Sequence, residues 1–391
     1  MFSRRSSIEL GENAIAKCLR EKLALGESVL DLTCSNPTVA GFATPDLPRA
    51  LIAPESNCYQ PDPLGLRSAR EFLAKQRGTS ADRIFLTAST SEAYGCLFKL
   101  LADPGDTMLA PSPSYPLFDH LARLDGITLM PYSLRYDGAW TVDRSTLNVG
   151  ANTRGILVVN PNNPTGHTID DDDLAHLESL GLPILSDEVF LSYAPAPAMD
   201  RSAKRRDREP KNLTFTMGGL SKELGLPHLK LAWTELSGPA QEVERAMDRL
   251  EVILDTYLSV ATPVQKALPE LFEVFAPVRN SIRDRIESND TLLRALLSPT
   301  PVSVLYREGG WYATLQLPKG VWPSGHSPRS SSHAFDEAWA LELISHGVNL
   351  YPGHFFDYED PSYLVVSLLT PTEVFRAGIQ ILVERAHAAA H

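Results

Sequence analysis

Apolar residues in this chain gather in short runs separated by longer stretches of helical character. Three runs, 107–110, 155–159 and 182–186, are almost uninterrupted by polar residues. Strands buried on both faces read this way, whereas strands with one wet face alternate. Between the runs, 92–101, 115–124 and 171–180 read as helices. The last begins with three consecutive acids, Asp171 to Asp173, which suit the positive end of a helix dipole and need no chemical role. From about 84 to 236 strands and helices alternate, which predicts an α/β architecture: a mostly parallel sheet with helices on both faces.

The two ends of the chain depart from that rhythm. The first 41 residues read as a helix followed by an extended segment at 29–33. The stretch 241–297 is helix-rich and closes with a long helix predicted over 274–297. Strands at 302–306, 311–316 and 363–369 then mix with helices at 335–346 and 372–387 without strict alternation, as in a small α+β unit. Two segments read as loops. One, 197–212, carries six Lys or Arg residues and is expected to be solvated surface; the other, 319–332, is rich in Pro, Gly and Ser. There is no internal repeat.

Composition narrows the function classes. A 391-residue chain with 43% hydrophobic residues supports a large core and roughly two or three domains. A net charge of -12 argues against binding nucleic acid through its phosphates. Cys18, Cys34, Cys58 and Cys96 form no CxxC pair, so neither a zinc site nor a disulfide framework is expected. The N-terminus has no apolar stretch behind its two arginines, and no run is long enough to span a bilayer. The expected setting is cytoplasmic.

Four clusters carry candidate chemistry, each near the end of a predicted strand, where α/β sheets bind ligands. Thr87 to Ala93 offers small hydroxyl residues at a helix start, which suits a phosphate; taken alone it is equally a plain N-cap. Asn160-Pro161-Asn162-Asn163-Pro164-Thr165-Gly166 is a rigid turn able to aim an amide into a pocket. Leu185-Ser186-Asp187-Glu188 delivers a carboxylate at a strand end, where burial demands a cationic partner. Gly218-Gly219-Leu220-Ser221-Lys222 sets a lysine among small and apolar neighbours, a setting that lowers its pKa and makes it nucleophilic.

In this order and spacing, the four clusters resemble the class I and II aminotransferases of the pyridoxal 5'-phosphate (PLP) fold-type I superfamily, over about 31–381. The resemblance implies a large PLP-binding domain over 42–273, a small domain formed by both chain ends (1–41 and 274–391), and a homodimer. It implies that Lys222 holds PLP as a Schiff base and moves the proton at the substrate's α carbon. It pairs Asp187 with the ring nitrogen, Asn163 with the phenolic oxygen and Tyr115 with the ring face. Thr90, Ser91 and Ser221 fall on phosphate ligands, and Tyr59 on the tyrosine that reaches the neighbouring subunit's phosphate. Asn36, within Ser35-Asn36-Pro37, falls beside the substrate.

Four departures from the family pattern stand out. Phe190 replaces a tyrosine that bonds the phenolic oxygen, and Gly219 replaces a phosphate-binding hydroxyl. Lys230 stands where an arginine grips the phosphate, keeping the charge without the bidentate fork. Val365 occupies the place of the arginine that binds the substrate carboxylate, with Arg307 and His354 as candidate replacements. Trp311 and Tyr312 line the substrate pocket or belong to the small domain's core. The expected function is transamination between an amino acid and a 2-oxo acid, with no membrane or nucleic-acid partner. β-Elimination, γ-replacement or decarboxylation would use the same electron sink, and a PLP-binding non-enzyme is a further alternative.

Overall fold

The computed structural model describes residues 2–7, 11–206, 208–323 and 334–390. The chain opens with α1 (Ala14–Ala24) and β1 (Leu30–Asp31). The alternating region follows: α2 (Arg67–Arg77), β2 (Ile84–Thr87), α3 (Thr90–Leu101), β3 (Thr107–Ser112), α4 (Phe118–Asp125), β4 (Thr128–Tyr136), β5 (Trp140–Val142), β6 (Thr153–Val159), α5 (Asp171–Ser179), β7 (Ile184–Asp187), α6 (Ala196–Arg206), β8 (Thr214–Gly219), α7 (Leu220–Glu223), β9 (Ala232–Ser237) and α8 (Ala240–Asp255). Next come α9 (Thr262–Lys266), α10 (Leu268–Val274) and the long α11 (Ala276–Leu297). The remainder comprises β10 (Ser303–Val304), β11 (Tyr312–Gln316), α12 (Ala334–Ser345), β12 (Val348–Asn349), β13 (Tyr351–Pro352), β14 (Tyr363–Ser367) and α13 (Thr372–Ala390).

Eight strands form the main sheet in the order β2-β9-β8-β7-β6-β3-β4-β5. The inner block β8, β7, β6, β3 and β4 is parallel throughout; β9 and β5 run antiparallel to their neighbours. Because β2 is antiparallel to β9 in turn, it points the same way as β8. The carboxyl ends of β2, β3, β6, β7 and β8 therefore share one edge. Their continuous apolar runs are explained by burial on both sides. Leu157, Leu185 and Met217 pack in one core with α3, α4 and α8, while Ile156, Val158 and Ile184 pack in the other with α5.

The chain ends meet. β1 pairs in parallel with β12, and Ser367 N–H donates to the Leu32 carbonyl at 2.8 Å. A four-stranded antiparallel sheet, β10-β11-β14-β13, lies beside them. Two expectations need correction. The basic stretch at 197–212 is not a loop: residues up to Arg206 belong to α6, and its arginines are paired, Arg205 with Asp171, Arg206 with Glu188 and, just beyond the helix, Arg208 with Glu178. The strand expected at 302–306 shrinks to Ser303–Val304, because the chain then leaves the sheet to meet the turn at Gly166. Of the loop expected at 319–332, residues 324–332 lie outside the described residues.

That meeting is tight. Gly166 sits at φ +69°, and a β-carbon there would lie 2.5 Å from the Gly309 carbonyl oxygen and 2.8 Å from Arg307 Cβ. Glu308 and Gly309 both donate backbone N–H groups to the Gly166 carbonyl. Gly166→Ala combines a strained backbone with overpacking against main chain, so a loss of roughly 2–4 kcal/mol is expected. Urea denaturation followed by tryptophan fluorescence checks it; an unchanged midpoint would show that the two loops do not depend on each other.

Candidate active site

The site is assembled at the shared carboxyl edge of the sheet. Asp187 is the last residue of β7 and is 7% exposed. Its carboxylate accepts from the Val189 N–H at 3.1 Å and from the Tyr94 hydroxyl at 3.1 Å. No lysine, arginine or histidine among the described residues lies within ion-pair distance of it, and burial raises its pKa to about 6. Tyr94 was not visible as a site residue in the sequence. It sits on the buried face of α3 next to Ala93, Leu97 and Phe98, indistinguishable there from ordinary core.

Lys222 stands near the end of the one-turn helix α7, immediately beyond β8. Its ammonium nitrogen lies 4.7 Å from the centroid of the Trp311 ring and 5.7 Å from that of Phe190. Loss of hydration lowers its pKa to about 8, against a smaller opposing pull from Asp187. A four-residue helix holds itself poorly, and tertiary contacts compensate. The Tyr193 hydroxyl donates to the Lys222 carbonyl at 2.7 Å, and Glu223 pairs with Arg279 of α11 at 2.8 Å. Phe190 and Tyr193 both meet Trp311 edge-on, each with centroids 5.4 Å apart. The phenylalanine that departs from the family pattern is thus part of an aromatic wall beside the lysine.

The Asn-Pro-Asn-Asn-Pro turn divides its amides between structure and site. Asn160 accepts from the Ile169 N–H at 3.2 Å. Asn162 donates to the Pro113 carbonyl and to Thr165 Oγ1, each at 3.0 Å, and accepts from Ser114 at 3.2 Å, which ties this turn to the segment carrying Tyr115. Asn163 is also buried, yet its amide oxygen has no hydrogen-bond partner among the described residues. Tyr115 is half-buried and meets Phe118 edge-on, as Tyr94 does, so an aromatic chain runs from Tyr115 to the Asp187 ligand.

Thr90 and Ser91 form the first turn of α3, capped by Ser89, whose hydroxyl accepts from the Glu92 N–H at 3.2 Å. They lie one turn before Tyr94 on the same helix. Ser221 adjoins Lys222, and Leu220 N–H bonds the Leu231 carbonyl at 3.0 Å, which brings exposed Lys230 to the same corner. Tyr59 is 70% exposed, as a residue reaching off its own subunit would be.

Three substrate-side expectations fare differently. The Asn36 amide oxygen caps its own turn, accepting from Thr38 N–H at 3.1 Å and Thr38 Oγ1 at 2.7 Å. The Arg307 guanidinium turns toward α11 instead of the cleft, donating to the Gly310 carbonyl at 2.7 Å and lying 3.8 Å from Asp290. The imidazole and backbone N–H of His354 both engage fully buried Asp336, at 2.9 and 2.8 Å, pinning the turn to the start of α12. Val365 is buried in β14 opposite Thr314 and Tyr351, and β14 carries no cation. Tyr312 is buried, which pushes its phenol's pKa up.

Comparison with known proteins agrees with this geometry. The family described as aminotransferase class I and II matches residues 20–380. The chain belongs to that family. It is an aminotransferase. The glutamate-pyruvate aminotransferase AlaA of Haemophilus influenzae is 28% identical over 373 residues, covering 88% of this chain and 87% of that protein. The alanine aminotransferase of Mycobacterium tuberculosis is 26% identical over 385 residues, covering 92% and 86% respectively. Among solved structures, an alanine aminotransferase from Pyrococcus furiosus superposes with a TM-score of 0.82 at 21% identity, covering 99% of this chain and 100% of that one. A tyrosine aminotransferase from Leishmania infantum gives 0.81 at 19% identity, covering 98% and 99%. These last two establish the fold, fold type I. No helix among the described residues is long and apolar enough to cross a membrane.

Proposed function

We propose that this aminotransferase binds pyridoxal 5'-phosphate on Lys222 and moves an amino group between an amino acid and a 2-oxo acid. One observation supports this above the others: a buried carboxylate at a strand end without a cation among the described residues, near enough to a desolvated lysine for each to bias the other's ionisation. The residues suit the cofactor. Asp187 lacks a cation, which a ring N–H⁺ provides, and the buried Asn163 amide is incompletely bonded. The α3 N-terminus, with Thr90, Ser91 and Ser221 about it, suits a phosphate. Lys230 adds a charge there, Tyr115 a ring face and, from a second subunit, Tyr59 a hydroxyl. When bound, PLP supplies an aldehyde that captures amines and a ring that accepts the electrons left when a bond at the α carbon breaks.

The chain's own residues do the rest. With the cofactor bound, the Lys222 amine would be the base that takes the α proton and would return it, as the conjugate acid, to complete the transfer. Asp187 holds the ring nitrogen protonated, and Tyr94 and Val189 hold Asp187. Trp311, Phe190 and Tyr193 exclude water around Lys222 Nζ. We also propose the division into a cofactor domain at 42–273 and a second domain from both chain ends, a homodimeric assembly and a cytoplasmic setting. Arg307 and His354 are not retained as carboxylate ligands, since both are bonded elsewhere.

Relatives named for alanine, glutamate and pyruvate make those the first substrates to try. Purified holoenzyme mixed with a panel of amino acids should convert its cofactor to the amine form in a single turnover, and a 2-oxo acid should reverse the change. Release of ammonia and oxo acid without the amine form would replace transamination with elimination.

A further inference from the structure

Glu188, its side chain only 10% exposed, is an acid that transamination leaves without a task. Side chains alternate along the end of β7. Leu185 and Asp187 face the core of α3, while Ile184, Ser186 and Glu188 face a small pocket of about 60 Å³ beneath α6. In that cavity the two Glu188 oxygens lie 2.9 and 3.0 Å from Ser202 Oγ, and Arg206 donates to one of them at 3.1 Å. Arg206 also reaches Ser202 Oγ at 3.0 Å, so the three side chains form a closed triangle. The other arginines of the segment have different partners: Arg201 lies near Glu308, Arg205 pairs with Asp171 and Arg208 with Glu178.

We propose that Ser202 and Arg206 are positioning residues for Asp187, acting through Glu188 across the end of β7. The inference rests on the reading of Asp187 as the partner of the cofactor's ring nitrogen. Asp187 is the last residue of its strand, paired with Val159 of β6 and Met217 of β8, and the ladder stops just beyond it. Its backbone is held by Asn160 N–H on the Asp187 carbonyl and Glu188 N–H on the Met217 carbonyl, at 2.8 and 2.9 Å. The Glu188 triangle adds a side-chain anchor to the very next residue. Breaking it would leave a buried carboxylate unpaired, a costly state that the chain relieves by moving toward water, and Asp187 would move with it.

The clamp also acts through charge. Asp187 is faced by the Tyr94 hydroxyl from α3, by Lys222 from α7, by Tyr115 beyond the β3 end, and by Glu188. Among these only Glu188 is an anion that favours the protonated acid, and Arg206 offsets it. Neutralising Arg206 therefore makes Asp187 harder to ionise; neutralising Glu188 makes it easier. A merely structural clamp would give the same direction for both.

The test compares Arg206→Met, Arg206→Lys, Glu188→Gln and the Arg206→Met/Glu188→Gln double variant as holoenzymes. The readouts are the acid limb of kcat/KM against pH and the rate of cofactor loss, followed by absorbance after dilution. Arg206→Met is expected to move the acid limb up by about one pH unit, a roughly tenfold change in proton affinity, and to speed cofactor loss. Glu188→Gln should move the limb down, the double variant should return it toward the parent, and Arg206→Lys should restore most of the profile. Limbs that stay put, or that move together, overturn the proposal. If Arg206→Met does not fold, Glu188→Gln decides: a downward shift supports the clamp and an unchanged or upward limb overturns it. Failure of the underlying reading is distinct, because Asp187→Asn would then keep full activity and cofactor.

Discussion

Lys222→Ala is expected to abolish both the visible absorbance of the holoenzyme and its transaminase activity, the latter by at least about 10⁴-fold. The size follows from two separate losses. On the proposed reading the covalent anchor disappears, and so does the base assigned to the α carbon. Burial among Trp311, Phe190 and Tyr193 also gives the wild-type amine a testable signature. Only a neutral amine attacks an aldehyde, and the pKa of Lys222 is lowered to about 8 from the ordinary 10.5. Adding PLP to cofactor-free wild-type protein should therefore form the visible band faster as pH rises, levelling above about 8. An exposed lysine would go on gaining rate for more than two further pH units. A variant that kept the band, or a wild-type profile still climbing steeply at pH 10, would remove Lys222 from its role.

Much of this was legible in the sequence because the signals were local. Apolar runs such as 155–159 became β6 and 182–186 became β7 within a residue or two, since strands buried on both faces must be apolar on both. Asp187 drew attention because an apolar run ends on it, and Lys222 because small and apolar neighbours surround it; they lie at the end of β7 and just past β8. What stayed hidden depends on partners far along the chain. α6 has only Ala198 and Ser202 buried, so no apolar stripe announced it, and Pro197 falls in its first turn, where proline is tolerated. Its arginines find acids at 171, 188 and 308, pairings that no spacing rule gives. Arg307 and His354 drew attention as replacements for the arginine missing at Val365, yet Asp290 and Asp336 decide where they point. Tyr94 looked like core because it is core on every side but its hydroxyl.

Asp187→Asn should pull stability and activity in opposite directions, which makes it the sharpest check on the site. In the cofactor-free protein the carboxyl has a folded-state pKa of about 6 against an ordinary 3.8, because burial disfavours its charge. The sign follows from that. Folding favours the protonated form, so this group's stabilising contribution is complete below pH 3.8 and is lost as pH rises through about 6. Above that, ionised Asp187 costs the cofactor-free fold on the order of 3 kcal/mol. Asparagine keeps the shape without the charge. Cofactor-free Asp187→Asn should be more stable than wild type at pH 8 by a few kcal/mol, with the gap closing toward pH 4; urea midpoints at both pH values measure it. With PLP bound the order should reverse, because the wild-type carboxylate then gains its cation. Activity should fall by about 10³-fold or more, since an amide cannot hold the ring nitrogen protonated. Equal midpoints at pH 8 would mean that Asp187 meets water or already has a cation, and a site with no vacancy for a positive charge is not a pyridoxal site.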